Sequence, residues 1–323
     1  MTKDASSHRD FSDPRCRSFT LIELLIVISI IALLIAIMTP SLHNARRRVL
    51  VMACPIAYSA TDWSLWITDP RGKRHLKVSD GPAYWARWSP SGDRMVHEFG
   101  GCGSLAIVDP VADTVKIIAT PGSNNSEWYD GQTVLGFGSG SLWLTSDVES
   151  GSTRAWMTLP EAGLGAYPHV YTYPHLTDGA ITCEPDQNNS NTLDVYIRER
   201  SNWNRTKTIW EDTANNQGDH FARPDWLGER VAWTRNRNTN SGGERHIALK
   251  SLDDPPNLPP TIIGDQFANA IFCDWTPDQK LLVIVDDVDE LSLVIMGLDG
   301  GGRGTTECKM TTTKTLILLK FKW

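Results

Sequence analysis

Five times along this chain, an aromatic residue or a histidine leads into a polar turn and then an apolar strand. The segments are "WSPSGDRMVHEFG" from Trp88, "WYDGQTVLGFG" from Trp128, "HLTDGAITCEP" from His175, "WLGERVAWTR" from Trp226 and "WTPDQKLLVIV" from Trp275. Successive starts are 40, 47, 51 and 49 residues apart. A second strand, and in most cases another turn, follows each one, as in "SLAIVDPVADTVKII" from Ser104 and "LSLVIMGLDGGGR" from Leu291. Each unit is therefore turn, strand, hairpin, strand. A small sheet of this kind has two apolar faces and cannot bury both alone. Stacking successive sheets buries them and leaves only short edges.

A period of this length with all-strand content predicts the blades of a β-propeller. "ARWSPSGDRMV", "CDWTPDQKLLV" and "RPDWLGERVAW" resemble the W-S-P-D-G-K repeats of TolB-like (WD40-like) propellers. Trp88, Trp128, Trp226 and Trp275 are the repeat markers, and the repeats at Trp128 and His175 are degraded. Residues 55–80, with a D-P-R-G turn at Asp69 to Gly72, read as the later strands of a further blade that lacks its opening strand. The C-terminal "TLILLKFKW" is the candidate to supply that strand and close the ring. The expectation is a propeller over residues 55–323 with six blades, five and seven being the alternatives.

The N-terminus has a different character. From Phe19 to Met38 the polar residues are Thr20, Glu23 and Ser29. Twenty residues of helix at about 1.5 Å each reach about 30 Å, the thickness of a hydrocarbon core. Lys3, Arg9, Arg15 and Arg17 precede the run and Arg46, Arg47 and Arg48 follow it, a small bias toward a cytoplasmic N-terminus. A carboxylate inside a membrane helix needs a reason. A cut between Ser18 and Phe19 supplies one. Phe19 would then carry a new α-amino group, and Glu23, four residues on, would share its helix face. Glu23 could neutralise that amine in its own chain or in a helix alongside, where the charge pair would set register.

"RSFTLIELLIVISIIALLIAIMTPSL" closely resembles the prepilin signature of type IV pilins and pseudopilins. The resemblance implies that a prepilin peptidase removes residues 1–18 and methylates Phe19. Glu23 then falls at the fifth mature position and serves assembly. Pro40 matches the proline that loosens the bond to the Ala36 carbonyl and kinks the helix. Ser18 departs from the family, which has Gly before the cut. The expected organisation is a leader over 1–18, a pilin-like transmembrane helix over 19–48 and the propeller over 55–323.

Catalytic motifs are sparse. No P-loop, G-x-S-x-G elbow, H-E-x-x-H or G-x-G-x-x-G after a strand occurs. His169, His175, Asp178, Glu184 and Asp186 gather in one stretch, but the six-residue His spacing defines no common face. They read as solvated loop residues. Asp286, Asp287, Asp289 and Glu290 lack the glycine and distant glutamate of a calcium loop and read as a hairpin turn. The six cysteines (Cys16, Cys54, Cys102, Cys183, Cys273, Cys308) form no CxxC pair. Net charge is −7, which argues against a nucleic-acid partner.

These readings predict no metal, no cofactor and no enzyme. They describe a single-pass protein of the bacterial cytoplasmic (inner) membrane, pseudopilin-like, holding a propeller recognition module in the periplasm or outside the cell. Its expected partners are the prepilin peptidase, other pilin-like subunits of a type II secretion or type IV pilus-like system, and an unidentified propeller ligand. The alternative is an exported propeller enzyme acting on glycans or peptides, with the pilin-like segment serving only export.

Overall fold

The computed structural model describes residues 20–60, 62–100, 103–119, 124–138, 142–158, 169–172, 179–186, 189–199, 205–210, 219–225, 227–236, 245–263, 269–276, 278–287, 290–298, 304–312 and 319–321. The chain divides into two units, residues 1–46 and 47–323.

The first unit is the apolar part of one helix, α1 (Leu21–Ala53). Its large side chains from Leu21 to Leu42 are exposed. A helix apolar all round suits lipid or other helices better than water. The helix continues through Pro40 and reaches Ala53, five residues beyond the expected end at Arg48. Its last residues belong to the second unit. There Arg47 and Val51 are buried, so tertiary contacts hold turns that the arginine run does not advertise. Pro55 stops further helix, because the residue before a proline is pushed out of the α region.

The second unit is all β outside that helix end. Strands β1 (Ile56–Ser59), β2 (Leu65–Thr68) and β3 (His75–Ser79) begin the first sheet. The second holds β4 (Ala83–Trp88), β5 (Met95–Phe99), β6 (Ser104–Asp109) and β7 (Thr114–Ala119). The third holds β8 (Asn124–Trp128), β9 (Thr133–Gly138), β10 (Leu142–Asp147) and β11 (Thr153–Thr158). The fourth holds β12 (His169–Thr172), β13 (Gly179–Asp186), β14 (Asn189–Glu199) and β15 (Arg205–Trp210). The fifth holds β16 (Asp219–Pro224), β17 (Arg230–Asn236), β18 (Arg245–Ser251) and β19 (Thr261–Ile263). The sixth holds β20 (Ala270–Trp275), β21 (Leu281–Asp287), β22 (Glu290–Leu298) and β23 (Gly304–Thr312). Last comes β24 (Leu319–Phe321), which joins the first sheet in the order β24-β1-β2-β3.

The described residues thus form six four-stranded antiparallel sheets. β24 fills the place of the missing opening strand, with Ile56 opposite Phe321, Ala57 opposite Lys320 and Tyr58 opposite Leu319. The opening strands form an unbroken cycle of contacts: β4 on β8, β8 on β12, β12 on β16, β16 on β20, β20 on β24 and β24 on β4.

The core lies between sheets. Val96, Leu105 and Ile107 of the second sheet pack with Trp128 and Val134 of the third. Ala232, Ile247 and Leu249 of the fifth pack with Trp275, Leu281 and Val283 of the sixth. Trp88, Met95 and Val108 pack with the first sheet and with Val51 of the helix end. At about 25 cal/mol per Å² of apolar surface, such junctions supply the main stabilisation, since no sheet is covered on both faces by itself.

Candidate functional site

The sequence concentrates functional signal in two places, the start of α1 and the strand-end tryptophans. Ser18 and Phe19 lie outside the described residues. Glu23 lies inside them, and its carboxylate is already engaged. Its Oε2 accepts hydrogen bonds from the Thr20 backbone N–H at 2.9 Å and the Thr20 hydroxyl at 2.8 Å. The Glu23 N–H donates back to Thr20 Oγ1 at 3.2 Å, and the Leu24 N–H donates to the Thr20 carbonyl at 3.2 Å. This is a capping box, with Thr20 as N-cap and Glu23 three residues on. It satisfies donors that the helix start would otherwise leave exposed. The T-x-x-E spacing that announces it is in the sequence, and reading Glu23 only against a Phe19 amine misses it.

Pro40 sits mid-helix and cannot donate to the Ala36 carbonyl. Beside it the Thr39 hydroxyl donates to the Ile35 carbonyl at 2.6 Å, and further back the Ser29 hydroxyl does the same to Leu25 at 2.7 Å. Both hydroxyls therefore find partners within the helix, as polar groups in a hydrocarbon environment must.

At the other end of α1, Arg47 is a contact the sequence hides. Its Nε donates to the Pro110 carbonyl at 2.6 Å, and its Nη2 meets Asp113 Oδ1 at 2.5 Å. Both partners lie in the β6–β7 hairpin, more than 60 residues away. An arginine expected to flank a membrane span therefore also fastens the helix end to the second sheet.

The tryptophans fall at strand ends. Trp88 pairs with Met95, Trp128 with Val134 and Trp275 with Leu281. All three are buried. The fifth sheet puts Pro224 opposite Val231 at that register position. Trp226 is two residues further on and lies outside the described residues. Asp225 takes the turn position there: its N–H donates to the Arg230 carbonyl, and its carboxylate accepts from Glu229 N, Arg230 N and Arg230 Nε.

Two of the tryptophans make the same contacts with the preceding sheet. Trp128 Nε1 donates to the Arg87 carbonyl at 3.1 Å, and Trp275 Nε1 donates to the Arg223 carbonyl at 2.8 Å. Arg94 lies 5.9 Å from the Trp128 ring and Arg230 lies 4.9 Å from the Trp275 ring. Each indole is held by a hydrogen bond at its edge and a cation over its face. Beside the first of these junctions, Arg87 Nε and Glu127 Oε2 form a buried ion pair at 3.2 Å. His97 is buried in β5. Its Nδ1 is 2.8 Å from the Glu98 carbonyl, and burial holds its pKa down at about 4.

No group of three His, Cys, Asp or Glu able to hold a metal occurs among the described residues. His175, Asp178 and Asp289 lie outside those residues. His169, Glu184, Asp186, Asp286, Asp287 and Glu290 have described backbone only, within β12, β13, β21 and β22.

Residues 13–39 match the family model of the prokaryotic N-terminal methylation motif. The match spans the leader's end, the expected cut, Glu23 and the apolar run. The chain therefore carries a pilin-like N-terminal segment with an apolar helix, followed by an all-β body. No curated protein sequence matches the chain. Among solved structures, the body is similar to an oligogalacturonate lyase in complex with manganese, at 11% identity over 72% of this chain and 68% of that one, TM-score 0.48. An oligogalacturonate lyase from Vibrio parahaemolyticus is similar at 11% identity over 76% and 71%, TM-score 0.47. The β-propeller domain of Myceliophteria thermophila Cps50 (Swd1) is similar at 11% over 70% and 71%, TM-score 0.47. An ancestral GH74 enzyme is similar at 8% over 80% of this chain but 37% of its own, TM-score 0.48.

These likenesses correct one expectation. The scarcity of catalytic motifs led to a non-enzymatic reading, yet three of these four solved structures are enzymes.

Proposed function

We propose that a prepilin peptidase cuts this chain between Ser18 and Phe19 and methylates Phe19. The mature protein is then anchored in the bacterial inner membrane by α1, with its β-body on the far side from the cytoplasm. The observation that carries this reading is the motif match over residues 13–39, with Glu23 four residues beyond Phe19. The small excess of Lys and Arg before the apolar run supports the orientation.

The body is read as a closed propeller of six blades spanning residues 55–323, supported by the six sheets and the cycle of opening-strand contacts. The protein acts with other pilin-like subunits of a secretion or pilus-type apparatus, as a minor or capping subunit. The capping box holds the Glu23 carboxylate at the helix start, one residue from the amine that cleavage would create. From there it can serve its own chain or a neighbour's.

The test is co-expression with a prepilin peptidase, followed by intact-mass measurement, N-terminal sequencing and crosslinking in membranes. The expected product begins with methylated Phe19. Glu23→Leu should still insert and still be cleaved, but crosslink less to pilin-like subunits. An N-terminus at Met1, or a cut near Ser41, would overturn the processing claim. Equal crosslinking by Glu23→Leu would overturn the assembly claim while leaving processing intact.

A further inference from the structure

Two tryptophans in the body have backbone conformations that bulky residues avoid. Trp63 has φ +64° and Trp85 has φ +54°. Left-handed backbone is costly for a non-glycine residue, and it persists where the surroundings dictate it. Both lie at one corner, where the β1–β2 hairpin of the first sheet meets the start of β4 in the second.

The corner is tightly built. Trp63 closes a turn, its N–H donating to the Ala60 carbonyl at 2.9 Å. Its carbonyl then accepts the Ala83 N–H at 2.8 Å, tying the hairpin to β4. The Ser59 hydroxyl donates to the Ala83 carbonyl at 2.7 Å. A bulge between Tyr84 and Arg87 turns Trp85 out of the regular pleat. Gly81 lies so close to the Phe99 ring that a Cβ there would stand 1.8 Å from a ring carbon.

The result is an aromatic ledge. The Trp63 and Tyr84 rings are 4.5 Å apart at 39°, whereas the Trp85 ring faces Arg87, 5.9 Å from its guanidinium. Trp63 and Tyr84 are only partly buried. Trp88, Trp128 and Trp275, at the sheet junctions, are buried outright. Charged groups border the ledge. Asp62 is next to Trp63, and Lys77 reaches Asp80 at 2.6 Å and Asp62 at 4.0 Å. All three are substantially exposed, Asp80 almost completely.

We infer that this corner is a binding site for a neutral glycan. A pyranose ring has an apolar C–H face that stacks on indole and phenol faces. Its equatorial hydroxyls point sideways, where carboxylates accept and an ammonium donates. Partly exposed rings beside Asp62, Asp80 and Lys77 offer both. The border has two carboxylates to one ammonium, within a chain of net charge −7, which disfavours a polyanionic sugar or nucleic acid. The strain at Trp63 then has a purpose, because it holds that ring beside Tyr84 at the corner.

The experiment is calorimetric titration and tryptophan fluorescence on the full chain in detergent, with cellohexaose and chitohexaose as probes. Hexagalacturonate and a tyrosine-rich peptide are the comparators. Binding of a neutral hexaose is expected, weakened about tenfold or more by Trp63→Asn or Tyr84→Ala. Asparagine tolerates the left-handed region, so Trp63→Asn keeps the turn, and its melting temperature should stay close to wild type. Absence of neutral-hexaose binding, preference for hexagalacturonate or the peptide, or binding indifferent to these substitutions would each overturn the site. A marked drop in melting temperature for both Trp63→Asn and Tyr84→Ala would show the rings to be core residues and overturn it as well.

Discussion

The indole N–H of Trp275 donates to the backbone carbonyl of Arg223 at 2.8 Å, from the sixth sheet to the fifth. Arg230, also of the fifth sheet, lies 4.9 Å from the centre of the same ring. A ring locked at edge and face cannot slide, so one tryptophan sets the spacing of two sheets. Trp275→Phe keeps most of the volume but orphans the carbonyl and weakens the cation–π contact. The expected destabilisation is about 1–3 kcal/mol. Urea unfolding of Trp275→Phe, Arg230→Met and the double variant checks it. Strict additivity would show that Arg230 and the ring do not act together.

Arg87 and Glu127 form an ion pair in which both side chains are almost wholly buried. Glu127→Gln leaves the guanidinium without its counter-charge and is expected to cost about 3–5 kcal/mol. Replacing both by Arg87→Met and Glu127→Leu removes the desolvation cost along with the attraction, and should recover most of that loss. Chemical denaturation of the three variants decides it. A double variant as unstable as the single one would contradict this account.

His97 makes the body acid-sensitive. Its folded-state pKa of about 4 lies below the value of about 6.5 for an exposed imidazole. The unfolded chain therefore takes up a proton across that window while the folded one does not. The stabilisation tied to a neutral His97 is complete above about pH 6.5 and is lost progressively down to about pH 4, some 3 kcal/mol in all. Melting temperatures of wild type and His97→Gln between pH 7 and pH 4 test this. The variant should show a visibly shallower decline, and parallel curves would rule out His97 as the source.

Removing residues 313–323 should damage more than a tail. It takes away β24 and leaves β1 paired with β2 alone, its other edge open. An exposed edge invites pairing with other chains, so lower stability and concentration-dependent association are both expected. The melting temperature should fall by roughly 5 °C or more, with larger species in light scattering. An unchanged melting point would mean that β24 adds nothing to the first sheet.

Much of this architecture is local and therefore readable. An apolar run of membrane length declares a helix by composition. Trp-turn-strand spacing declares repeating sheets because hairpin turns depend on the few residues that build them. The pairing of the C-terminal strand with the first sheet was also legible, since that sheet's residues lack an opening strand. The T-x-x-E cap at Thr20 was equally available, although the reading of Glu23 passed over it.

What the sequence by itself determined, then, is the order and kind of elements: one apolar helix within a prokaryotic N-terminal methylation motif, then strands at a fixed period. Only the tertiary structure decided which distant residues meet. Arg47 reaches Asp113 across 66 residues and Arg87 reaches Glu127 across 40, separations that no local pattern encodes. Tertiary packing also put Pro224, rather than Trp226, at the strand end, and bent Trp63 and Trp85 into the left-handed region. The physical reason is the same in each case. Turn chemistry and periodicity act between neighbours in the chain, whereas register at a sheet junction is settled by which side chains can be buried together.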